Sequence, residues 1–330
     1  MPKKSGEYGD QSISALKGPD RVRKRPGVIF GSDGIEGCEH SFFEILSNSI
    51  DEAREGYGNV INITVHKDKS ITVEDFGRGV PLDWNEKEQR YNWDLIYCEL
   101  YAGSKYNNDG GEAYTYSLGL NGLGACATQY CSEYMHVTSY TKQGKYTINF
   151  EKGYPVSDLG RDEPVKRRTG TVVEWKPDIS VFTDINIPLE YFEDVLHKQA
   201  IVNAGLKLVL NYENPDGSHT KKEYLYKRGI VDYVNELISV AGEGSENSLN
   251  KTEGENDGEN DGETHDISET EIQDQKENAE NDENDASRTL AITTPAYFRT
   301  ERRGRDREDK PEYTLKVEMV FCFSNIVNRI

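Results

Sequence analysis

The chain has no run of about 18 consecutive apolar residues, so nothing in it is expected to span a bilayer. Its first residues, MPKKSGEYGDQ, lack the apolar core of a secretory signal. Cysteine is scarce and odd in number: five residues, Cys38, Cys98, Cys126, Cys131 and Cys322, with no CxxC pair. That argues against a disulfide scaffold or a zinc site and suits a reducing, cytoplasmic setting. The phosphate-binding GK[ST] signature is missing too. Aromatics vanish between Glu243 and Ser287, where 17 acidic residues stand against two lysines. Such a stretch cannot bury enough apolar area to offset the entropy of ordering it, and it is expected to be disordered. It carries most of the formal net charge of −20, so the remainder is nearly balanced. Overall acidity therefore says little about what the folded part binds. The repeat GENDGENDGE invites a calcium-loop reading, but the 12-residue register and flanking helices are missing. A flexible insertion is the better account.

What is present fits two domains, on a length of 330 residues. VINITVHKDKSITVEDFG (60–77) reads as two strands about a Lys-Asp-Lys turn. Residues 133–153 read as a hairpin with Gly144 in its turn, and GTVVEWKP (170–177) as a strand closed by Pro177. Residues 188–205 read as a helix with Pro188 at its start and Gly205 past its end. A strand over 206–214, a helix over 229–240 and a strand over 313–323 follow. Helices and hairpins alternate without strict β-α-β order, which points to a mixed sheet with helices on one face. The chain stops at Ile330 without a closing element, as a piece of something longer would.

Three segments carry chemistry. In HSFFEILSNSIDEA (40–53), six apolar side chains share a helix with a histidine, an amide and three acids. His40, Ser47, Asn48, Asp51 and Glu52 all fall within about 80° of Glu44 on a helical wheel, opposite Phe42, Leu46 and Ile50. An amphipathic surface helix with an acidic outer face is the plain reading. Against it, no lysine or arginine balances the acids one turn away. Asn48 one turn after Glu44 is a poor helix former but a reasonable oxygen ligand for a hard divalent cation. In VEDFGRGVP (73–81), a strand ends on Asp75 and two glycines let the backbone approach a ligand. A carboxylate there can accept from an exocyclic amine such as adenine's; a plain Gly-Arg-Gly turn is the alternative. In SLGLNGLGACATQYC (117–131), Gly119, Gly122 and Gly124 lead into a small-residue helix, an arrangement suited to anions. It matches neither a Walker A nor a dinucleotide fingerprint.

Taken in order, with LKGPDRVRKRPGVIFG (16–31), YAGSKY (101–106) and RTGTVVEW (168–175), these segments resemble the Bergerat fold of the GHKL ATPases. The resemblance is nearest to the ATPase domains of type IIA topoisomerases, those carried by gyrase B and its topoisomerase IV counterpart in bacteria. It covers about residues 8 to 240, and 289 to 330 more loosely. It implies an α+β two-layer sandwich, with a mixed, mostly antiparallel sheet and helices on one face. That ATPase domain would occupy 1–223. The start of an α/β transducer would follow over 224–330, with the acidic insert 243–287 inside it.

The resemblance also assigns roles. Glu44 would be the general base for the attacking water, with His40 holding or tuning it. Asn48 would ligate Mg2+, which bridges the phosphates of ATP. Asp75 would take the adenine amino group, with Thr171 helping through a water and Gly77 against the base. Glu52 and Arg78 would pair beside the adenine, with Arg78 stacked on it. Asp51 and Pro81 would lie along the same nucleotide. Lys105 and the loop Leu118, Gly119, Leu120, Asn121, Gly122, Leu123, Gly124 would hold phosphate oxygens. Tyr8, which would also reach the nucleotide, and Ile13 would lie on an arm that joins two copies into a homodimer when nucleotide is bound. A gyrase A-like subunit and DNA would complete the enzyme; the family's DNA-cleaving parts are missing here, so this chain alone should not cut DNA. Ser47 and Asn121 depart from the family's usual aspartate and histidine, and Ser117 and Leu118 from a glycine-rich entry. Those departures and the insert keep a second reading open: a nucleotide-binding regulator or scaffold with little turnover. The insert could also mimic DNA within the same enzyme.

Overall fold

The computed structural model describes residues 15–102, 122–249, 293–305 and 313–323. In chain order its elements are α1 (Asp20–Arg23), α2 (Gly27–Phe30), α3 (Ile35–Arg54), β1 (Val60–Val65), β2 (Ile71–Asp75), β3 (Trp84–Asn85), β4 (Arg90–Tyr91), α4 (Asn92–Cys98) and α5 (Gly124–Tyr130). Then come β5 (Ser132–Tyr140), β6 (Lys145–Glu151), β7 (Tyr154–Pro155), β8 (Gly160–Asp162), β9 (Gly170–Pro177), α6 (Leu189–Val202), β10 (Lys207–Glu213), β11 (His219–Tyr224), α7 (Ile230–Leu249), β12 (Ala296–Gly304) and β13 (Tyr313–Phe321). The chain divides into two compact units, Met1–Gly229 with Arg302–Leu315, and Ile230–Glu301 with Lys316–Ile330.

The large sheet runs β11-β10-β1-β2-β9-β5-β6-β7, with β8 pairing β6. β1 and β10 are parallel, and the other pairs described in this sheet are antiparallel. Alternation along each strand turns every second residue inward. Leu210, Ile63, Val73, Val173, Val137 and Ile148 therefore stand side by side across six strands, all buried. Thr64, Thr72, Glu174, His136 and Asn149 form a matching polar row on the opposite face. The apolar face takes the helices: α3 against β1, β2 and β9, α6 against β10 and β11, and α5 against β5. This is the mixed, mostly antiparallel sheet with one helical face that the resemblance implies. Asp75 pairs with Ile61, so it belongs to the inward set although it carries a charge.

α3 is the central helix. Ser32 prepares its start, accepting from the Gly34 N–H at 2.9 Å and donating to Glu36 Oε2 at 3.1 Å. Phe42, Leu46 and Ile50, spaced four apart, are fully buried; burying side chains of this size is worth about 1.5–3 kcal/mol each. Phe42 meets Phe192 of α6 edge to face, with centroids 4.9 Å apart. α5 lies along the other side of α3. In the RVRKRPG run, Arg23 donates to Tyr130 O (2.8 Å) at the end of α5 and to Asp178 Oδ2 (2.5 Å) just past β9. A cation at a helix C-terminus is favourably placed, so this arginine ties the N-terminal segment to α5.

The plain alternative for α3, an acidic face turned to water, does not hold along its whole polar arc, since Ser47 and Asp51 are each only 1% exposed. α5 packs against the same helix at Ser41 and Glu44, where Thr128 Oγ1 donates to Ser41 O at 3.2 Å. The last long helix also runs on to Leu249 rather than ending at Val240, so it enters the segment expected to be structureless. Alanine, glutamate and leucine among those residues are adequate helix formers. The rest of the acidic insert lies outside the described residues. Among the described residues no helix is long and apolar enough to cross a membrane.

Candidate functional site

The polar residues of α3 meet three other elements. His40 Nε2 is 3.2 Å from Glu44 Oε1 one turn on, and its Nδ1 is 3.3 Å from Phe30 O of α2. With acceptors at both ring nitrogens, the imidazole fits best when both carry hydrogen. Its pKa is accordingly raised from 6.5, chiefly by the bond to Glu44, with partial burial opposing and the Phe30 carbonyl assisting. A raised value means the bond's contribution is fully present below pH 6.5 and is lost as pH climbs through the folded-state value. NMR titration of the His40 ring should therefore show a midpoint above 6.5 that falls in Glu44→Gln; an ordinary midpoint in both proteins would contradict this pairing.

Glu44 also lies against the start of α5. A Cβ added to Gly124 would sit 1.9 Å from Glu44 Oε2, so only glycine lets the helix backbone come this close. Asn48 donates Nδ2 to Glu44 O at 3.0 Å, which turns its Oδ1 away from that carbonyl, and the residue is exposed. Ser47 bonds the same carbonyl at 2.9 Å.

Asp75 ends β2 and is 7% exposed. Its Oδ1 accepts from the N–H of Gly77 (2.9 Å) and of Thr171 (3.2 Å), and its Oδ2 from Ser49 Oγ (3.1 Å). Burial raises its pKa, those three bonds pull it back, and the charge of Glu52 adds to the rise. Gly170 must hold φ 128°, and a Cβ there would strike Asp75 O at 2.0 Å, which is why the RTGT segment carries glycine beside this strand. Thr171 Oγ1 accepts from Val80 N at 3.0 Å, next to an exposed Pro81. Arg78 forks onto Glu52, Nη2 to Oε1 at 2.6 Å and Nε to Oε2 at 3.1 Å, while its guanidinium lies 4.0 Å over the Tyr57 ring. Glu52 and Arg78 are thus ion-paired, and the ring that Arg78 stacks on here is the protein's own.

One stretch of α3, from His40 to Glu52, thus touches residues drawn from α2, α5 and the end of β2, whose Asp75 is bonded in turn to Thr171 of β9. Gly122, at φ 56°, and Leu123 lead into α5 beside Glu44. Tyr8, Ile13, Lys105, Leu118, Gly119, Leu120 and Asn121 lie outside the described residues. Pattern reading passed over Ser49, Tyr57 and the Phe30 carbonyl. Ser49 had a faint signal, a hydroxyl on the apolar side of the wheel; the other two had none.

A glutamate–asparagine helix over a mixed sheet, close to a strand-end aspartate and a glycine-led helix, is the arrangement that the resemblance to the GHKL ATPase fold implies. No protein-family model matches the chain. It is 37% identical over 237 residues to topoisomerase 4 B of Enterococcus faecalis, covering 71% of this chain and 34% of that one. It is 35% identical over 234 residues to DNA gyrase B of Thermotoga maritima, covering 70% and 35%, and 36% identical over 233 residues to that of Staphylococcus aureus, with the same coverage. The solved 43K ATPase domain of Thermus thermophilus gyrase B, in complex with an aminocoumarin, superposes with a TM-score of 0.56 at 31% identity, over 67% of this chain and 55% of that one. Over about 70% of its length the chain is thus homologous to DNA gyrase B and topoisomerase IV B. The chain spans about a third of the length of these curated relatives.

Proposed function

We propose that this chain binds ATP with Mg2+ along α3 and hydrolyses it, as the ATPase module of a type IIA topoisomerase. The observation that carries this reading is the pair of carboxylates bordering one stretch of one helix. Glu44 touches the start of α5, and Asp75 is held through Ser49, about 7.5 Å of helical rise further on. An acid at one end and an acceptor at the other suit a molecule with a phosphate at one end and an amino-bearing base at the other.

Hydrolysis of a terminal phosphate needs positioning, charge stabilisation and one base for water. Glu44 takes the proton of the attacking water. His40, donating to Oε1, holds that carboxylate and leaves Oε2 toward the start of α5. Asn48 fits magnesium: its amide nitrogen is tied to the helix, and the oxygen that remains is the donor a hard cation prefers. When bound, the ion would neutralise phosphate charge. Asp75 accepts from the base, and Thr171, Gly77 and the Glu52–Arg78 pair frame it, with Asp51 and Pro81 nearby. Lys105 and the loop 118–124 would supply phosphate contacts.

The larger assembly follows from the same reading: a cytoplasmic enzyme in which residues 1–223 bind nucleotide and residues from 224 onward begin a transducer. Arm residues Tyr8 and Ile13 pair two copies on ATP binding, and a gyrase A-like subunit passes DNA. The test is calorimetry of the chain with the β,γ-imido analogue of ATP and Mg2+, followed by a hydrolysis assay with the partner subunit and DNA. Saturable binding with DNA-stimulated turnover is expected. Binding without turnover would favour the regulatory reading, and no binding would remove both.

A further inference from the structure

Ser49 is 6% exposed and faces the sheet from α3. A hydroxyl has a single hydrogen to donate, and here it goes to Asp75 Oδ2 at 3.1 Å. An ionised carboxylate offers about four acceptor positions. Among the described residues, Gly77 N and Thr171 N use two on Oδ1, and Ser49 uses one on Oδ2. That leaves one position, on Oδ2. We propose that Ser49 is a positioning and specificity-determining residue, which locks Asp75 as a pure acceptor and so admits a 6-amino purine while refusing a 6-oxo purine. The inference rests on the nucleotide reading above and deepens it.

A 6-oxo purine points an oxygen where a 6-amino purine points N–H. Against an ionised Asp75 two acceptors would meet, and the base is rejected. A protonated Asp75 could donate to that oxygen and accept the wrong base. The surroundings lean toward that failure: burial and the Glu52 carboxylate both favour the protonated form, and Tyr97 of α4 is a further neighbour that carries no positive charge. Arg78, the nearby cation, is committed to Glu52 in a two-pronged bond. The three donated hydrogen bonds are what oppose protonation, and Ser49 supplies the one that comes from a side chain. Gly77 and Thr171 donate through the backbone, so no substitution tunes them as directly.

The test compares the β,γ-imido analogues of ATP and of ITP by calorimetry on the wild-type chain, Ser49→Ala and Ser49→Cys, with melting curves to establish folding. In Ser49→Ala the ATP analogue should bind about tenfold more weakly, the loss of one hydrogen bond to a charged group. The ITP analogue should hold or gain, so the ATP-to-ITP preference falls at least tenfold. Ser49→Cys, close in size with a weak donor, should lie between and serves if the alanine variant does not fold. A merely structural serine would weaken both analogues together and leave the preference unchanged, and that result overturns the proposal. Wild-type protein that binds neither analogue would strike the nucleotide reading itself; wild-type binding with an unchanged preference in the variants strikes this inference alone.

Discussion

Glu44→Gln is expected to lower ATP turnover by about 10²–10⁴-fold, the contribution of one positioned base, while nucleotide affinity stays within about threefold, since an interaction used only in the transition state is lost. Glutamine keeps the length and one acceptor oxygen, so the contact from His40 Nε2 at 3.2 Å can persist. What it cannot do is take a proton from water. Steady-state hydrolysis beside calorimetry of the imido analogue separates the two effects. Turnover within tenfold of the wild type would remove Glu44 from the role of base. A matching collapse of affinity would make it a binding residue instead.

Gly124→Ala should be nearly as damaging, by another route. The added methyl would stand 1.9 Å from Glu44 Oε2, 2.7 Å from its Cδ and 2.9 Å from its Cβ. A swing of the carboxyl end alone cannot relieve the last of these, so Glu44 and α5 must part. A displacement of about 1 Å at a reacting group can cost about 10²-fold in rate. Alanine is also the better helix former by about 1 kcal/mol, so the fold should survive: the melting temperature holds while turnover falls by about 10²-fold or more. Loss of both together would point to a general packing defect, and normal turnover would show that the contact carries no catalytic weight.

The strands were legible because their chemistry is one-dimensional. Ile61, Ile63 and Val65 alternate with Asn62 and Thr64, and that period dictates which face goes inward. The start of α6 was legible for a similar reason, since Pro188 acts on the local backbone; its end falls at Val202, with Asn203 as the C-cap, short of Gly205. The candidate site was only half visible. Glu44, Asn48 and Asp75 stand out because acids and amides at those spacings are poor choices for a plain surface. Ser49 does not, because a lone serine on an apolar face passes for a tolerated core residue. Tyr57 and the Phe30 carbonyl matter through partners, Arg78 and His40, that lie 21 and 10 positions away in the chain.

Residue order alone settled the two periodicities, the helical one of α3 and the alternating one of the strands, together with the places where glycine and proline end an element. These depend on neighbours within a turn or a pleat, which the chain carries with it. Which polar groups would be buried was decided by packing across long separations. Ser47 and Asp51 leave solvent in the folded chain, Glu44 meets Gly124 of α5, 80 positions on, and Asp75 gains its donors from Thr171 and Ser49 on separate elements. Burial and hydrogen bonding at that distance are properties of the folded arrangement, and it is these that turn an acidic helix face into a site.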